Sequence, residues 1–412
     1  MNIPHCINSN IWPERGNKIG FYSKESSSTV KIYASANISE KLFEYSEGYY
    51  YAANVVVDYI LNLEYEDIGK LDSYFFAIGF LYRHSLELGL KAIAFQYITE
   101  KNDRISFIKT KFHNLYEIIC ELIKICEYKR PKDELDWLSN YLLSLSKLDM
   151  ESDSFRYPFH IVFEYDEWEL EKQYSIKRVF SEQTHIDLLA FANKFEAAYE
   201  IINKWYLRMD DNASEWRNYS SQFIEDGRAY YFQSVVGYKY IKDDFYPYTK
   251  GYLESANYLK WHMNNVTSDY ERRDKLLFPM CYLYRNCVEL LLKVILFEET
   301  GMNFQEKCKI AMRKKHSIVG LWNTIKKYIL EVFTSESYRK EMDLIEDNCI
   351  QLQNYDNDAN RFRYPMSKEM QMYFSQNRIF DYNVMGDFLE ALNNSLNAVY
   401  DMIKDYYENV EY

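Results

Sequence analysis

An internal repeat constrains the fold of this chain more than any other feature of its sequence. Four short polar signatures occur twice, in the same order, at offsets of 203, 202, 203 and 207 residues. The first copy has them at residues 48–54, 81–93, 113 and 155–158, and the second at residues 251–257, 283–295, 316 and 362–365. Four matches at a nearly constant offset predict a tandem duplication of one structural unit of about 165 residues.

Composition narrows the class of this unit. At 412 residues the chain has the length of two domains. Its 41 tyrosines and only 12 glycines favour long helices with aromatic packing over glycine-rich α/β nucleotide folds. No run of 18 apolar residues is present, and residues 1–13 lack a basic segment followed by an apolar one. We therefore expect a cytoplasmic protein without a membrane partner.

The seven cysteines include no Cys-x-x-Cys pair. Four of them lie in apolar helical patterns: Cys120, Cys126, Cys281 and Cys287. Buried free thiols in a reducing cytoplasm are the preferred interpretation, ahead of disulfides or a zinc site.

The net charge of −13 limits the choice of partners. A protein that coats duplex nucleic acid through its phosphates is usually basic. Contact with RNA or nucleotides would therefore need a local cationic cleft, since the general surface is acidic.

Apolar periodicity predicts equivalent helices in both copies. A third helix of each copy would begin at its histidine, His113 or His316, and Pro279 would lie within the first two turns of its helix. The other helices are predicted at residues 45–63 and 248–266, at 72–99 and 274–299, up to about 147 and 353, and at 185–207 and 383–408. The predicted fold class is mainly α.

Three stretches have the alternating character of strands. Residues 162–179 predict a β-hairpin insertion in the first copy, and residues 27–36 and 229–241 predict short strands. The expected organisation is an N-terminal extension with short strands (1–44), a first helical domain (45–207), a linker with short strands (208–247) and a second helical domain (248–412).

Three charged residues recur on one face of the most apolar helix of each copy, because they are spaced four apart. They are Arg83, Glu87 and Lys91 in the first copy and Arg285, Glu289 and Lys293 in the second. One interpretation is a surface ladder of ion pairs. The other is a polar seam facing a cleft, in which the glutamates pair structurally with the arginine of the Phe-Arg-Tyr-Pro loop and the cations are available to a phosphate.

Each histidine, His113 and His316, follows basic residues at a predicted helix start. It could cap the helix or pack in the core, or it could contact an anion with help from the helix N-terminus.

The arginines of the Phe-Arg-Tyr-Pro loops, Arg156 and Arg363, are candidates for phosphate recognition because a guanidinium matches the geometry of an oxyanion. Acidic residues lie just upstream of both, at Asp149 and Asp153 and at Asp356 and Asp358. Alternatively, Arg156 pairs with Asp153 or Glu87 and only holds its loop.

Several catalytic motifs are absent from the sequence: the phosphate-binding Gly-x-x-x-x-Gly-Lys-Ser/Thr loop, Gly-x-Gly-x-x-Gly, His-Glu-x-x-His and Gly-x-Ser-x-Gly. No set of cysteines and histidines has zinc spacing. We therefore expect no metal, flavin or nicotinamide cofactor.

The order of these motifs resembles the HEPN superfamily. The first copy has Glu-Leu-Gly-Leu-Lys-Ala at 87–92, His-Asn-Leu at 113–115 and Arg-Tyr-Pro at 156–158. The second has Glu-Leu-Leu-Leu-Lys-Val at 289–294, His-Ser-Ile at 316–318 and Arg-Tyr-Pro at 363–365. The resemblance spans more than half the chain.

The resemblance implies two tandem up-and-down helical bundles and a place in abortive-infection, toxin–antitoxin or other antiviral systems, with a partner protein from the same system. Many proteins of that superfamily resemble metal-independent ribonucleases in which two bundles share a cleft. Each contributes an arginine followed, after four to six residues, by a histidine. The histidine would transfer a proton, the arginine would stabilise the phosphate, and the RNA's own 2′-hydroxyl would attack.

This chain departs from that nuclease pattern. His160 follows Arg156 with only three residues between them, and Arg363 has no histidine after it. Either His113 and His316 supply the missing groups, or the active site has decayed, which is the preferred interpretation.

Three functions therefore remain open. The first is a non-catalytic protein that binds RNA, a nucleotide or a partner protein between the two copies. The second is a ribonuclease effector with Arg156, His160 and Arg363 as catalytic residues. The third is a structural module that forms homo-oligomers.

Overall fold

The protein is mainly helical, as the sequence predicts. A computed structural model describes residues 11–20, 27–63, 68–166, 171–180, 185–211, 213, 215–225, 234–235, 245–266 and 269–410. Within these ranges it contains twelve α-helices and six short strands.

The elements of the first copy begin after strand β1 (Thr29–Ile32). They are α1 (Ile38–Leu61), α2 (Ile68–Tyr97), α3 (Lys101–Lys111), α4 (Leu115–Ile125), α5 (Lys132–Leu148), β2 (Phe159–Asp166), β3 (Glu171–Arg178), β4 (Ile186–Asp187) and α6 (Leu188–Leu207).

The elements of the second copy follow a 3-10 turn (Glu215–Asn218) and strand β5 (Ser234–Val235). They are α7 (Tyr246–Asn265), α8 (Tyr270–Val294) with a π-helical end (Ile295–Glu299), α9 (Phe304–Lys314), α10 (Ile318–Val332), α11 (Glu336–Tyr355), β6 (Arg378–Asp381) and α12 (Tyr382–Val410).

Two details of the predicted helices are wrong. The predicted third helices do not begin at the histidines: Asn114 and Ser317 cap α4 and α10 by accepting backbone N–H bonds, and an extra helix, α3 or α9, fills each connector. Pro279 lies in the interior of α8, because this helix begins four residues earlier than the apolar pattern suggests.

The predicted hairpin is present as β2 and β3, which pair antiparallel from Phe159–Arg178 to Asp166–Glu171. Strand β1 confirms the N-terminal strand and pairs with β6 of the second copy, so the N-terminal extension contacts the far end of the chain. Of the predicted strand at residues 229–241, only β5 is described, and it pairs with β4. The rest of that stretch lies outside the described residues.

The two copies share one core. Helices α1 and α2 pack on each other and against α7 and α8, and the buried apolar side chains of both copies form a continuous cluster. Six cysteines are described, and all are free thiols. No described helix is long and apolar enough to cross a membrane. The predicted domain boundaries stay predictions.

Equivalent glycines allow the helices of the two copies to cross closely. Gly48 in α1 faces the carbonyl of Lys275, and Gly251 in α7 faces the carbonyl of Ser73 in α2. A Cβ atom at either glycine would overlap with backbone atoms of the other copy. The repeated glycines of the first signature therefore exist for close helix packing.

We predict that Gly251→Ala lowers the free energy of unfolding by about 1–3 kcal/mol, because the opposing group is backbone and cannot rotate away. Urea denaturation would measure the change. Gly69→Ala is the matched control, since Gly69 lies in the first turn of α2 with open space around its Cβ position. The control should be neutral or stabilising by up to about 1 kcal/mol. Equal effects at the two sites would contradict the close crossing.

Candidate functional site

A buried ion cluster lies on α2. Glu87 is fully buried and pairs with two cations of its own helix, with Arg83 and with Lys91, whose Nζ is 2.6 Å from Glu87 Oε1. Arg83 also reaches Asp149 at the end of α5, with Nε 3.0 Å from Oδ2. The seam therefore faces the interior, and the surface-ladder interpretation is wrong.

The second copy repeats this cluster on α8. Glu289 is fully buried, and its carboxylate lies 2.6 Å from Arg285 Nη1 and 2.8 Å from Lys293 Nζ. Arg285 Nε lies 3.5 Å from Asp356 Oδ2 at the end of α11. Each charge is thus compensated locally, which removes most of the cost of its burial.

The two histidines join these clusters. Nδ1 of His113 lies 2.9 Å from Glu87 Oε1, and Nδ1 of His316 lies 3.0 Å from Glu289 Oε1. Their backbone carbonyls accept hydrogen bonds from Arg83 (2.5 Å) and Arg285 (2.8 Å). The histidines are therefore held at both backbone and ring, and the helix caps are the residues that follow them.

Charge and burial set the protonation states. Burial alone would raise the pKa of Glu87. The neighbouring His113, Lys91 and Arg83 have the stronger, opposite effect, so this pKa lies well below its usual value. Burial lowers the pKa of His113 to about 4 against the opposing effect of Glu87. For His316, Glu289 raises the pKa, but burial and neighbouring cations leave it below its usual value. Because Lys91 and Arg83 already neutralise Glu87, we assign His113 as neutral at pH 7, with Nδ1 donating to the carboxylate and Nε2 unprotonated.

The remaining donor to each glutamate comes from the opposite copy. Tyr364 of the second Phe-Arg-Tyr-Pro loop donates its hydroxyl to Glu87 Oε1 at 2.7 Å, and Tyr157 of the first loop donates to Glu289 Oε1 at 2.7 Å. The expectation that the loop arginine pairs with the glutamate is therefore wrong. The tyrosine does so, and it reaches the glutamate of the other copy.

Each Phe-Arg-Tyr-Pro loop reaches into the opposite copy, which we call the exchange of the loops. A tyrosine from the first helix of that opposite copy bonds to the backbone of the loop. The hydroxyl of Tyr49 in α1 donates to the carbonyl of Phe362 at 3.1 Å, and that of Tyr252 in α7 donates to the carbonyl of Phe155 at 3.0 Å. Both tyrosines are fully buried. The repeated Gly-Tyr pair of the first signature thus serves the crossing of the helices and the exchange of the loops.

Each loop arginine is almost fully buried, with a relative exposure of 4%. Arg156 donates through Nε to the Ser152 carbonyl at 2.6 Å and through Nη2 to Asp153. Arg363 donates through Nε to the Ala359 carbonyl at 2.7 Å and through Nη2 to Asn360 Oδ1 at 2.9 Å. In both, Nη1 has no hydrogen-bond partner among the described residues.

Both arginines open onto one cavity of about 440 Å³, called here the central cavity. Eighteen described residues line it: Leu42, Lys91, Ile108, Phe112, His113, Glu151, Asp153, Arg156, His316, Asp358, Asn360, Arg363, Tyr364, Met366, Ser367, Lys368, Glu369 and Tyr373. The structure therefore brings the arginines and histidines of both copies together.

Other predicted site residues lie elsewhere. Arg83, Arg285 and Lys293 are engaged in the ion clusters and do not line the central cavity. His160 lies in β2 opposite Lys177, outside the cavity lining. The short Arg156–His160 spacing therefore reflects a strand position and does not place the imidazole beside the arginine's cavity.

The role of Tyr157 and Tyr364 was not predicted, although both residues are repeated in the sequence. Asp149 and Asp356 lie just upstream of the loop arginines in sequence, but their carboxylates pair with Arg83 and Arg285. Among the described residues no group of three or more metal-binding side chains is present.

The chain matches no family model, no curated protein and no solved structure.

We predict that Tyr364→Phe and Tyr157→Phe each lower the free energy of unfolding by about 1.5–3 kcal/mol, because each removes a hydrogen bond to a buried charged carboxylate. Chemical denaturation would measure the loss. Tyr165→Phe on the exposed face of the hairpin is the control and should change stability by less than about 0.5 kcal/mol. If Tyr364→Phe changed the free energy of unfolding as little as the control does, the hydrogen bond between Tyr364 and Glu87 would not stabilise the fold.

Proposed function

We propose that this chain is a tandem HEPN-like protein that binds the phosphate of an RNA or a nucleotide in the central cavity. One observation carries the proposal: Arg156 and Arg363, equivalent in the repeat and buried, both line the same cavity, and each has a buried Nη1 without a hydrogen-bond partner among the described residues. A buried guanidinium nitrogen without a partner is costly, and a phosphate oxygen can accept a charge-assisted hydrogen bond from it.

The surroundings support a binding role for these arginines. The two guanidinium groups repel each other, since Arg156 lowers the pKa of Arg363, and an anion close to both would relieve this repulsion. Neutral His113 adds an unprotonated Nε2 that can accept a hydrogen bond from a hydroxyl of the ligand. The chain as a whole is acidic, but the lining of the central cavity has as many cations (Lys91, Arg156, Arg363 and Lys368) as carboxylates (Glu151, Asp153, Asp358 and Glu369).

The HEPN resemblance supports the biological setting. The motif order, the two helical copies and the shared cleft fit paired up-and-down bundles of the abortive-infection type. A role in an antiviral system, together with a partner protein of the same system, follows from that resemblance. The partner would sense the infection, and the central cavity would hold the phosphate.

We expect wild-type protein to bind fluorescein-labelled tRNA or a labelled nucleotide, and Arg156→Ala/Arg363→Ala to bind at least about tenfold more weakly, because the variant loses two charge-assisted contacts. Fluorescence anisotropy at fixed salt would measure both. Lys124→Gln is the control, since this exposed α4 lysine carries the same charge outside the cavity. Binding that is unchanged in the double variant, or absent from the wild type, would contradict the proposal.

A second candidate function is RNA cleavage, and a specific observation favours it. His113 and His316 line the same cavity as both arginines, so they can replace the histidine that the Arg-Tyr-Pro loops lack. Neutral His113 could take the proton of a 2′-hydroxyl as that oxygen attacks phosphorus. The imidazolium form of His316 would give its proton to the departing 5′-oxygen, and the products would be a 2′,3′-cyclic phosphate and a 5′-hydroxyl.

If the chain cleaves RNA, cleavage should persist in EDTA, and His113→Ala should reduce the rate at least about a hundredfold, because a positioned acid or base contributes roughly that much. End-labelled tRNA on denaturing gels would give the rate, and His160→Ala should cleave as the wild type does. RNA binding without any cleavage would support the binding role and exclude the ribonuclease role. Loss of cleavage in His160→Ala but not in His113→Ala would reverse the assignment.

A further inference from the structure

The two loop arginines differ in one partner. Arg156 Nη2 contacts the carboxylate of Asp153, whereas Arg363 Nη2 contacts the amide oxygen of Asn360 at 2.9 Å. Asp153 and Asn360 occupy equivalent positions of the repeat. The positive charge of Arg156 is therefore neutralised by its own loop, and that of Arg363 is not.

This difference leaves Arg363 without a counter-charge at the central cavity. Arg363 is 4% exposed, donates to the neutral oxygens of Ala359 and Asn360, and forms no ion pair with any described carboxylate. Its other partners are the rings of Tyr282 and Tyr364, which carry no net charge. A buried guanidinium without a counter-charge destabilises the protein until an anion reaches it. The central cavity gives an anion that access.

The space around the arginines is also unequal. Lys91, Ile108 and Phe112 of the first copy line the central cavity, whereas their repeat equivalents Lys293, Ala311 and Lys315 do not. On the second copy's side, the β2–β3 hairpin packs against α9. There the backbone N–H and carbonyl of Tyr174 bond to the side chain of Gln305, at 2.7 and 2.9 Å. The second copy has no equivalent hairpin among its described residues, only a single bridge between Met366 and Met372.

The lining beyond the arginines indicates the size of the ligand. Apolar and aromatic side chains form part of the wall, from Ile108, Phe112, Met366 and Tyr373, and they suit a planar base. Exposed carboxylates also line the cavity, from Glu151, Asp358 and Glu369, and they would repel further phosphates of a long strand. A volume of about 440 Å³ lies in the range of small-molecule sites.

We propose that the central cavity binds a nucleoside monophosphate in one orientation, with the phosphate on Arg363 and the base on the apolar wall. Arg156, held by Asp153, shapes the site but contributes less to binding. This inference rests on the proposed function and adds to it the ligand's size, its orientation and the dominant arginine. The monophosphate can belong to a free nucleotide or to the end of an RNA strand.

The experiment measures binding by isothermal titration calorimetry for the four ribonucleoside 5′-monophosphates, adenosine, inorganic phosphate, and an eight-nucleotide RNA with and without a 5′-phosphate. Four variants are compared with the wild type: Arg363→Gln, Arg156→Gln, Asn360→Asp and Asp153→Asn. Thermal unfolding of each variant confirms that it is folded. Asn360→Asp keeps both arginines and tests the charge argument even if Arg363→Gln does not fold.

We expect at least one monophosphate to bind more tightly than adenosine. Arg363→Gln and Asn360→Asp should each weaken that binding about tenfold or more, because they remove or neutralise the free charge. Arg156→Gln should weaken it less, and Asp153→Asn should leave it equal or tighter. If the RNA with a 5′-phosphate binds as well and the RNA without it does not, the ligand is a strand end. If neither RNA binds, the ligand is a free nucleotide.

Two results would overturn the inference while leaving the proposed function intact. One is RNA binding that needs both arginines equally, and the other is RNA binding with no affinity for any monophosphate. Absence of binding to every phosphate probe would overturn the proposed function as well. Binding that ignores all four substitutions would place the ligand outside the central cavity and would contradict both.

Discussion

Two buried carboxylates, Glu87 and Glu289, are the groups on which the rest of this structure depends. An ionised glutamate in a protein interior is tolerated only when several donors surround it. Arginine and lysine of the same helix supply two of these donors, and the histidine before the next helix supplies a third. The fourth is a tyrosine hydroxyl from the opposite copy, so neither carboxylate is fully satisfied by its own copy.

The shared donor explains why the arginines of the two copies meet. To bring Tyr157 to Glu289 and Tyr364 to Glu87, each Phe-Arg-Tyr-Pro loop must extend across the junction. The arginine before each tyrosine is carried along and opens onto the same central cavity. The position of the candidate site is thus a geometric consequence of how the buried charges are satisfied, and the close helix crossings at the repeated glycines make the short reach possible.

Much of this arrangement could be predicted from the sequence, because the repeat and the helical periodicity are local signals. The four-residue spacing placed Arg83, Glu87 and Lys91 on one face, and the structure confirms it. The partner of Glu87 could not be found this way, since Tyr157 and Tyr364 are interchangeable in sequence and only the packed structure selects the distant one. Helices α3 and α9 were missed because each has only 11 residues, most of them charged or polar.

Covalent linkage of the two copies has a chemical consequence for the site. In a symmetric homodimer an aspartate beside the loop arginine would appear twice, and both guanidinium groups would be neutralised together. In one chain the two positions can diverge, as Asp153 and Asn360 have done. The β2–β3 hairpin of the first copy makes the surroundings of the two loops unequal. The difference between Asp153 and Asn360 makes the charge beside the two loop arginines unequal. Both changes suit the proposed ligand, whose two ends are unlike and could not be oriented by a twofold-symmetric cleft.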